Sequence, residues 1–293
     1  MRFPKLIPHM TSSNFCALTK TCGKFVKSHI FPLALTRLER TGEKFVETGI
    51  GLGIKRRSNS LYDSALVNRV GEDILADIDS KGIDILRRHK LVWSGWNGEE
   101  YLNSDDQVFF EEKPHHRLIH IHDTQALQLF FLSLIWRAAA SSRPEFNDFK
   151  LNHDELENLK LRILNKNPGD FKEYPIQLFQ LYTLGIHHNR TPLMEQKEII
   201  DVDGPTQRTT DYARLYFDGL IIHINLPRGK DMSQTYQQTC LGTPGPTIVF
   251  LHRFEDSRTN ENIIEMINTV HKEQFIPSSP LSPIFTAITS AWK

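Results

Sequence analysis

The chain has few cysteines, no excess of either charge and no apolar run long enough to cross a membrane. Its 293 residues include three cysteines, Cys16, Cys22 and Cys240. They are too few and too scattered for a disulfide framework, which points to a reducing, cytoplasmic setting. Lys+Arg and Asp+Glu each number 35, so no global basic field draws the chain to a polyanion. Any nucleic-acid binding must come from local patches such as Lys55-Arg56-Arg57 or Arg87-Arg88-His89-Lys90. The opening stretch, Met1 to Asn14, is basic but interrupted by Pro4 and Pro8, which is not the pattern of a secretory signal. The most apolar run, Leu127 to Ala140, contains Gln128, Ser133 and Arg137 and is about a third short of a membrane span. It reads as a core helix, and no membrane partner is expected. No internal repeat is visible.

What is present is an ordinary globular composition, 39% hydrophobic and 24% charged, with length enough for one large or two small domains. Pro32 bars a helix through the segment before it, so Phe25-Val26 and Ser28-His29 read as a short strand or ribbon. Glycines at 42, 49, 51 and 53 mark a hairpin or extended loop leading to the basic corner Lys55-Arg56-Arg57. A helix is predicted over 64–90, with Asp63 as N-cap and Val67, Val70, Ile74, Ile78 and Ile85 as an apolar stripe. Gly71 and Gly82 weaken it by about 1 kcal/mol each, and a break is predicted near Gly82.

Trp93-Ser94-Gly95-Trp96 reads as a buried turn or short strand. A second helix spans 124–141, and a third spans 153–165 with Asn152 as N-cap. A short helix is predicted near 174–184. Asp218-Gly219 between two apolar runs predicts a hairpin. Thr247 to Leu251 reads as a further strand, 262–273 as an amphipathic helix, and the proline-bearing last twenty residues as a loosely packed tail.

The candidate chemistry starts at His29. With Asp63, Asn68, Glu72 and Asp79 it forms a constellation in which a strand histidine could take a proton from water attacking a phosphodiester, with one divalent ion stabilising the leaving oxygen. The competing reading is a structural histidine beside a proline and solvated carboxylates on one helix face. Three other groupings are weaker. His116, His120 and His122 would share a strand face, which suits a zinc or iron centre or, more simply, a surface strand. Gly49-Ile50-Gly51-Leu52-Gly53 lacks the order of a phosphate loop and reads better as a hairpin. Cys240 with His223 and His252 hints at a thiol–histidine pair, against a buried free cysteine.

The run from Cys16 to Pro32, with Lys27-Ser28-His29-Ile30-Phe31-Pro32 at its end, resembles the opening of HNH-type (ββα-metal) endonuclease-like proteins. There a cysteine knuckle precedes a "K-S-H-I-I-P" phrase. Tyr62-Asp63 and the helix after it are similar to that family's "Y-D-x-N-L-L-C-x-x-C-E". Phe130 to Ala138 resembles its "F-L-L-S-L-L-W-R-A", so the likeness covers roughly residues 15–165. In register, the family's asparagine falls on Ala65 and its second cysteine pair on Asn68 and Gly71, and Glu72 persists. Five residues separate Cys16 from Cys22 in place of the usual two, so a four-cysteine zinc site is not available.

The resemblance implies His29 as general base, Glu72 and Asp63 as ligands of Mg²⁺ or Mn²⁺, and DNA or RNA as partner through Lys55, Arg56 and Arg57. It also implies a setting of bacterial mobile elements or phage defence. The rival is a binding or assembly subunit that keeps the fold without the reaction, with a protein partner or a second copy of itself. The expected architecture is α+β: a ββα-metal-like element on a helical core over 1–188, then a small antiparallel sheet with a C-terminal helix over 208–293, the two able to pack as one domain.

Overall fold

The computed structural model describes residues 15–36, 45–48, 55–57, 61–200, 207–226 and 233–274. Met1 to Asn14, the glycines at 42, 49, 51 and 53, and the tail after Gln274 lie outside the described residues. In chain order the elements are β1 (Ser28–His29), α1 (Leu33–Thr36), β2 (Phe45–Thr48), β3 (Lys55–Arg57), β4 (Tyr62–Asp63), α2 (Arg69–Arg88), β5 (Gln107–Phe110) and β6 (Lys113–Ile119). Then follow α3 (Thr124–Ala140), α4 (His153–Leu164), β7 (Ile176–Leu181), β8 (His188–Arg190), β9 (Leu193–Ile200), β10 (Gln207–Phe217), β11 (Leu220–Asn225), α5 (Gln234–Gln238), β12 (Thr247–His252) and α6 (Arg258–Gln274). The α+β class is as the sequence predicts.

The C-terminal sheet is larger than expected and not purely antiparallel. Seven strands run in the order β5-β6-β12-β7-β11-β10-β9, with β12 parallel to β7. Strands from both sides of residues 188–208 share this sheet, and β9 pairs directly with β10 across that stretch. The inward face carries Ile176, Leu178, Ala213, Leu215, Phe217, Ile222 and Ile224. These side chains join the helical residues Leu75, Phe130, Phe131, Trp136 and Leu159 in one apolar cluster. The expected helix near 174–184 is strand β7. Its run Ile-Gln-Leu-Phe-Gln-Leu sits between two other strands with both faces largely covered, and a doubly covered strand lacks the period-two alternation that marks a half-exposed one.

The hairpin holds as predicted. Asp218 (φ 50°) and Gly219 (φ 79°) form its turn between β10 and β11, with both central residues in the left-handed region such a two-residue turn requires. Helix α3 is buried nearly all round, and Asp123 caps it by accepting from the Ala126 amide at 2.9 Å. Asn152 caps α4 through the Glu155 amide at 2.8 Å. Trp93 to Gly95 form a single 3₁₀ turn, and both Trp93 and Trp96 are buried.

Helix α2 departs from expectation in two ways. It starts at Arg69 because Asn68, not Asp63, is its cap, accepting from the Gly71 amide at 3.2 Å. Residues 64–67 run outside the helix, where the Leu66 and Val67 carbonyls accept from the Ala17 and Val26 amides. The buried face is therefore Leu75, Ile78, Ile85 and Leu86, while Val70 is exposed. The helix is also unbroken at Gly82. A Cβ there would lie 2.3 Å from Phe130 Cγ, so the glycine lets α3 approach closely and does not interrupt the turn.

Candidate functional site

His29 closes β1, which pairs antiparallel with β4 so that Ser28 faces Asp63 and His29 faces Tyr62. Helix α2 follows. Tyr62-Asp63, expected as the lead into the helix, is a two-residue strand, and α3 fastens β1 and α2 together. Arg137 of α3 donates to the His29 carbonyl at 3.0 Å and to Asp79 of α2, with Nη1 3.0 Å from Oδ2. Its remaining donors go to Ser133, at 3.3 Å to the carbonyl and 2.9 Å to Oγ. An arginine in an otherwise apolar helix must find a carboxylate once buried, and Arg137 is 1% exposed. That pairing was readable from the sequence and was missed. Just beyond α3, Arg143 donates to the Tyr62 carbonyl at 2.6 Å and pairs with Glu145.

The His29 ring is half-buried and meets Tyr62 edge-on, with ring centroids 6.1 Å apart. Burial, then the charges of Lys27 and Arg137, hold its pKa below the ordinary histidine value, and Asp79 opposes them. The imidazole is therefore unprotonated at neutral pH. Lys27 Nζ sits 3.8 Å from the Tyr62 ring centroid and the Arg143 guanidinium 5.7 Å from it, a cation–π arrangement beside the histidine.

The predicted ligands are arranged differently. Asp63 is 4% exposed, and both its carboxylate oxygens are taken. Oδ1 accepts from the Ala65 amide and Oδ2 from Ser141 Oγ, each at 2.7 Å. Glu72 lies in the first turn of α2, and its buried Oε2 has no hydrogen-bond partner. Its charge is not among those acting on His29. Among the described residues no three His, Cys, Asp or Glu side chains lie together where they could hold a metal ion. With Asp63 fully engaged within the protein, this donor set does not fit a divalent cation shared by His29, Asp63 and Glu72.

The knuckle region is closed by other means. A Cβ on Gly71 would lie 2.7 Å from Cys16 Sγ, so Cys16 stands against the position where the resemblance expects a second-pair cysteine. Cys16 Sγ accepts from the Thr19 amide at 3.4 Å, and Asn68 Nδ2 donates to Thr21 Oγ1 at 2.8 Å and to the Thr21 carbonyl at 3.2 Å. Hydrogen bonds through Asn68 thus tie the loop to the start of α2, while Cys22 is exposed.

Lys55, Arg56 and Arg57 form β3, paired with β2 in register Phe45↔Arg57, Val46↔Arg56 and Glu47↔Lys55, at the edge of a three-stranded sheet. They belong to the hairpin itself. His115 and His116 fall on β6 with Nδ1 atoms 2.9 Å apart, while His120 and His122 lie past the strand's end. Cys240 is buried, and burial pushes its thiol up to about 12, which makes it a poor nucleophile. No helix among the described residues is long and apolar enough to cross a membrane. No protein-family model, curated protein or solved structure matches the chain.

Proposed function

We propose that this chain is a nuclease-derived nucleic-acid-binding protein, an HNH-like ββα element that uses its histidine face to hold a phosphodiester without a metal of its own. One observation carries the reading. The carboxylates around His29 are turned inward, Asp63 to Ser141 and Asp79 to Arg137, while a neutral, half-exposed imidazole stands beside the exposed Lys27 ammonium. A face with cations, and with Asp63 and Asp79 engaged inside the protein, suits a phosphate backbone. The edge strand of Lys55, Arg56 and Arg57 extends the basic character to a second place.

Fluorescence anisotropy of labelled single-stranded RNA and duplex DNA, titrated in EDTA over a range of salt, tests this. The wild type is expected to bind at low salt. A His29→Ala, Lys27→Ala double variant should weaken binding across sequences. Replacing Lys55, Arg56 and Arg57 by alanine should flatten the slope of log K against log salt by roughly two units. A wild type that binds neither polymer removes the reading and leaves the assembly subunit.

A second reading, phosphodiester hydrolysis with His29 as general base, is favoured by the same lowered pKa, since a base must be unprotonated to accept a proton. Plasmid nicking in Mg²⁺ or Mn²⁺ that disappears in His29→Ala would establish it in place of binding alone.

A further inference from the structure

We propose that a second site, on the sheet face turned away from the helical core, binds a phosphate group between Arg190, Arg214, Tyr216, Thr191 and Thr259. The site does not rest on the reading of His29. It lies where β8, β10 and the first turn of α6 meet, in a narrow pocket with about 10 Å³ of interior room, enough to take one oxygen of a phosphate with the rest of the group at the mouth.

Strand alternation explains why polar groups gather here. On β10, Ala213, Leu215 and Phe217 point into the apolar core, which sends Tyr212, Arg214 and Tyr216 to the opposite face. Arg214 is 8% exposed and Tyr216 4%. Arg214 Nη1 and Tyr216 Oη are both buried without a hydrogen-bond partner. The Gly219 amide is directed at the Tyr216 oxygen as a weak donor, which leaves the hydroxyl proton without an acceptor. Two buried, unpaired donors lining one pocket are costly in a folded protein unless something accepts from them.

The charge points the same way. Glu195 lies 3.7 Å from Arg214 Nη1 and 3.9 Å from Arg258 Nη1, beyond hydrogen-bond reach of both, and accepts instead from Tyr212 Oη at 2.6 Å. Burial and the charge of Arg214 hold Arg190 below the ordinary arginine value, with Glu195 opposing them. Among the described residues, three guanidiniums therefore share one carboxylate. The other acid near Tyr216, Asp218, accepts from the Ser94 amide at 3.2 Å, and burial raises its pKa.

His188 adds no charge, because burial pushes its pKa down to about 4 and its Nδ1 is bonded to the Ile186 carbonyl at 2.7 Å. Its ring stacks on Tyr216 at 4.3 Å and fixes the phenol in place. Thr259 brings a hydroxyl from the first turn of α6, where the helix dipole is positive. Two lining guanidinium forks and three hydroxyls, with a net positive charge once Glu195 is counted, match the dianionic, multi-acceptor phosphate monoester better than a carboxylate.

Inorganic phosphate is the first probe, followed by a pair of oligonucleotides that differ only in a 5′-phosphate or a 5′-hydroxyl. The wild type should melt higher in phosphate than in chloride of equal ionic strength. Arg190→Ala and Tyr216→Phe should each lower phosphate affinity by about tenfold. Tyr216→Phe keeps the ring that stacks on His188, so it remains a test if Arg190→Ala fails to fold. Tighter binding of the 5′-phosphorylated oligonucleotide would assign the site to a nucleic-acid end. Phosphate binding with no such preference would assign it to a small phosphate ligand. No phosphate-specific rise in melting temperature, or phosphate affinity unchanged in Tyr216→Phe, overturns the proposal.

Discussion

Replacing Arg137 by methionine should destabilise the protein by about 3–5 kcal/mol. The guanidinium is 1% exposed and joins four groups: the Asp79 carboxylate, the His29 carbonyl, and the carbonyl and hydroxyl of Ser133. Without it, Asp79 becomes a largely buried charge with no partner, and the His29 carbonyl loses a donor. Adding Asp79→Leu to Arg137→Met should recover part of the loss, because it is the orphaned charge that is expensive. Urea denaturation of the two variants measures this. The same change reaches His29. Removing a positive charge and baring Asp79 both favour the imidazolium, so the His29 pKa should rise from its lowered value. A variant as stable as the wild type would mean that the Arg137–Asp79 pair does not fasten the His29 strand.

Trp136→Ala is expected to cost about 3–5 kcal/mol as well, for a different reason. Trp136 is 1% exposed in the middle of α3, within the apolar cluster that joins helices to sheet. Truncation leaves a cavity enclosed by rigid elements on several sides, with little room for collapse. The loss should show as a lower urea midpoint at unchanged m-value. A melting temperature within a degree or two of the wild type would contradict this placement of the core.

Local signals predicted local structure well. Asn152 and the apolar spacing after it mark α4, Asp218-Gly219 marks the hairpin, and the long, mostly apolar run marks α3. The misses are places where a distant contact decides. Gln177 and Gln180 break the apolar run at helical spacing, so β7 imitates a helix. Gln180 in fact points inward to accept from the buried Arg117 at 2.9 Å, an arrangement visible only once β6 lies two strands away.

Gly82 looks like a helix breaker until Phe130 is packed against it. Asp63 looks like a helix cap, yet Asn68 lies closer to the helical residues and takes that role. At the site, the phrase around His29 singles out the histidine as a candidate. The fate of Asp63 was not legible, because Ser141 lies 78 residues away and only the fold brings its hydroxyl to the carboxylate. Arg190 and Arg214 carry no motif. They meet because β8 of the three-stranded sheet packs beside β10 of the seven-stranded one, while β9 next to β10 brings the carboxylate they share.

The central claim is that the His29 face holds a phosphodiester, and the His29 ring proton reports it most directly. Its NMR signal, assigned by comparison with His29→Ala, should titrate below the ordinary histidine value in the free protein. In EDTA it should shift as a short single-stranded oligonucleotide is added, with the imidazole pKa rising as phosphate approaches. An oligonucleotide that binds while the His29 signal and its titration stay unmoved would contradict the account, because binding would then lie elsewhere on the chain.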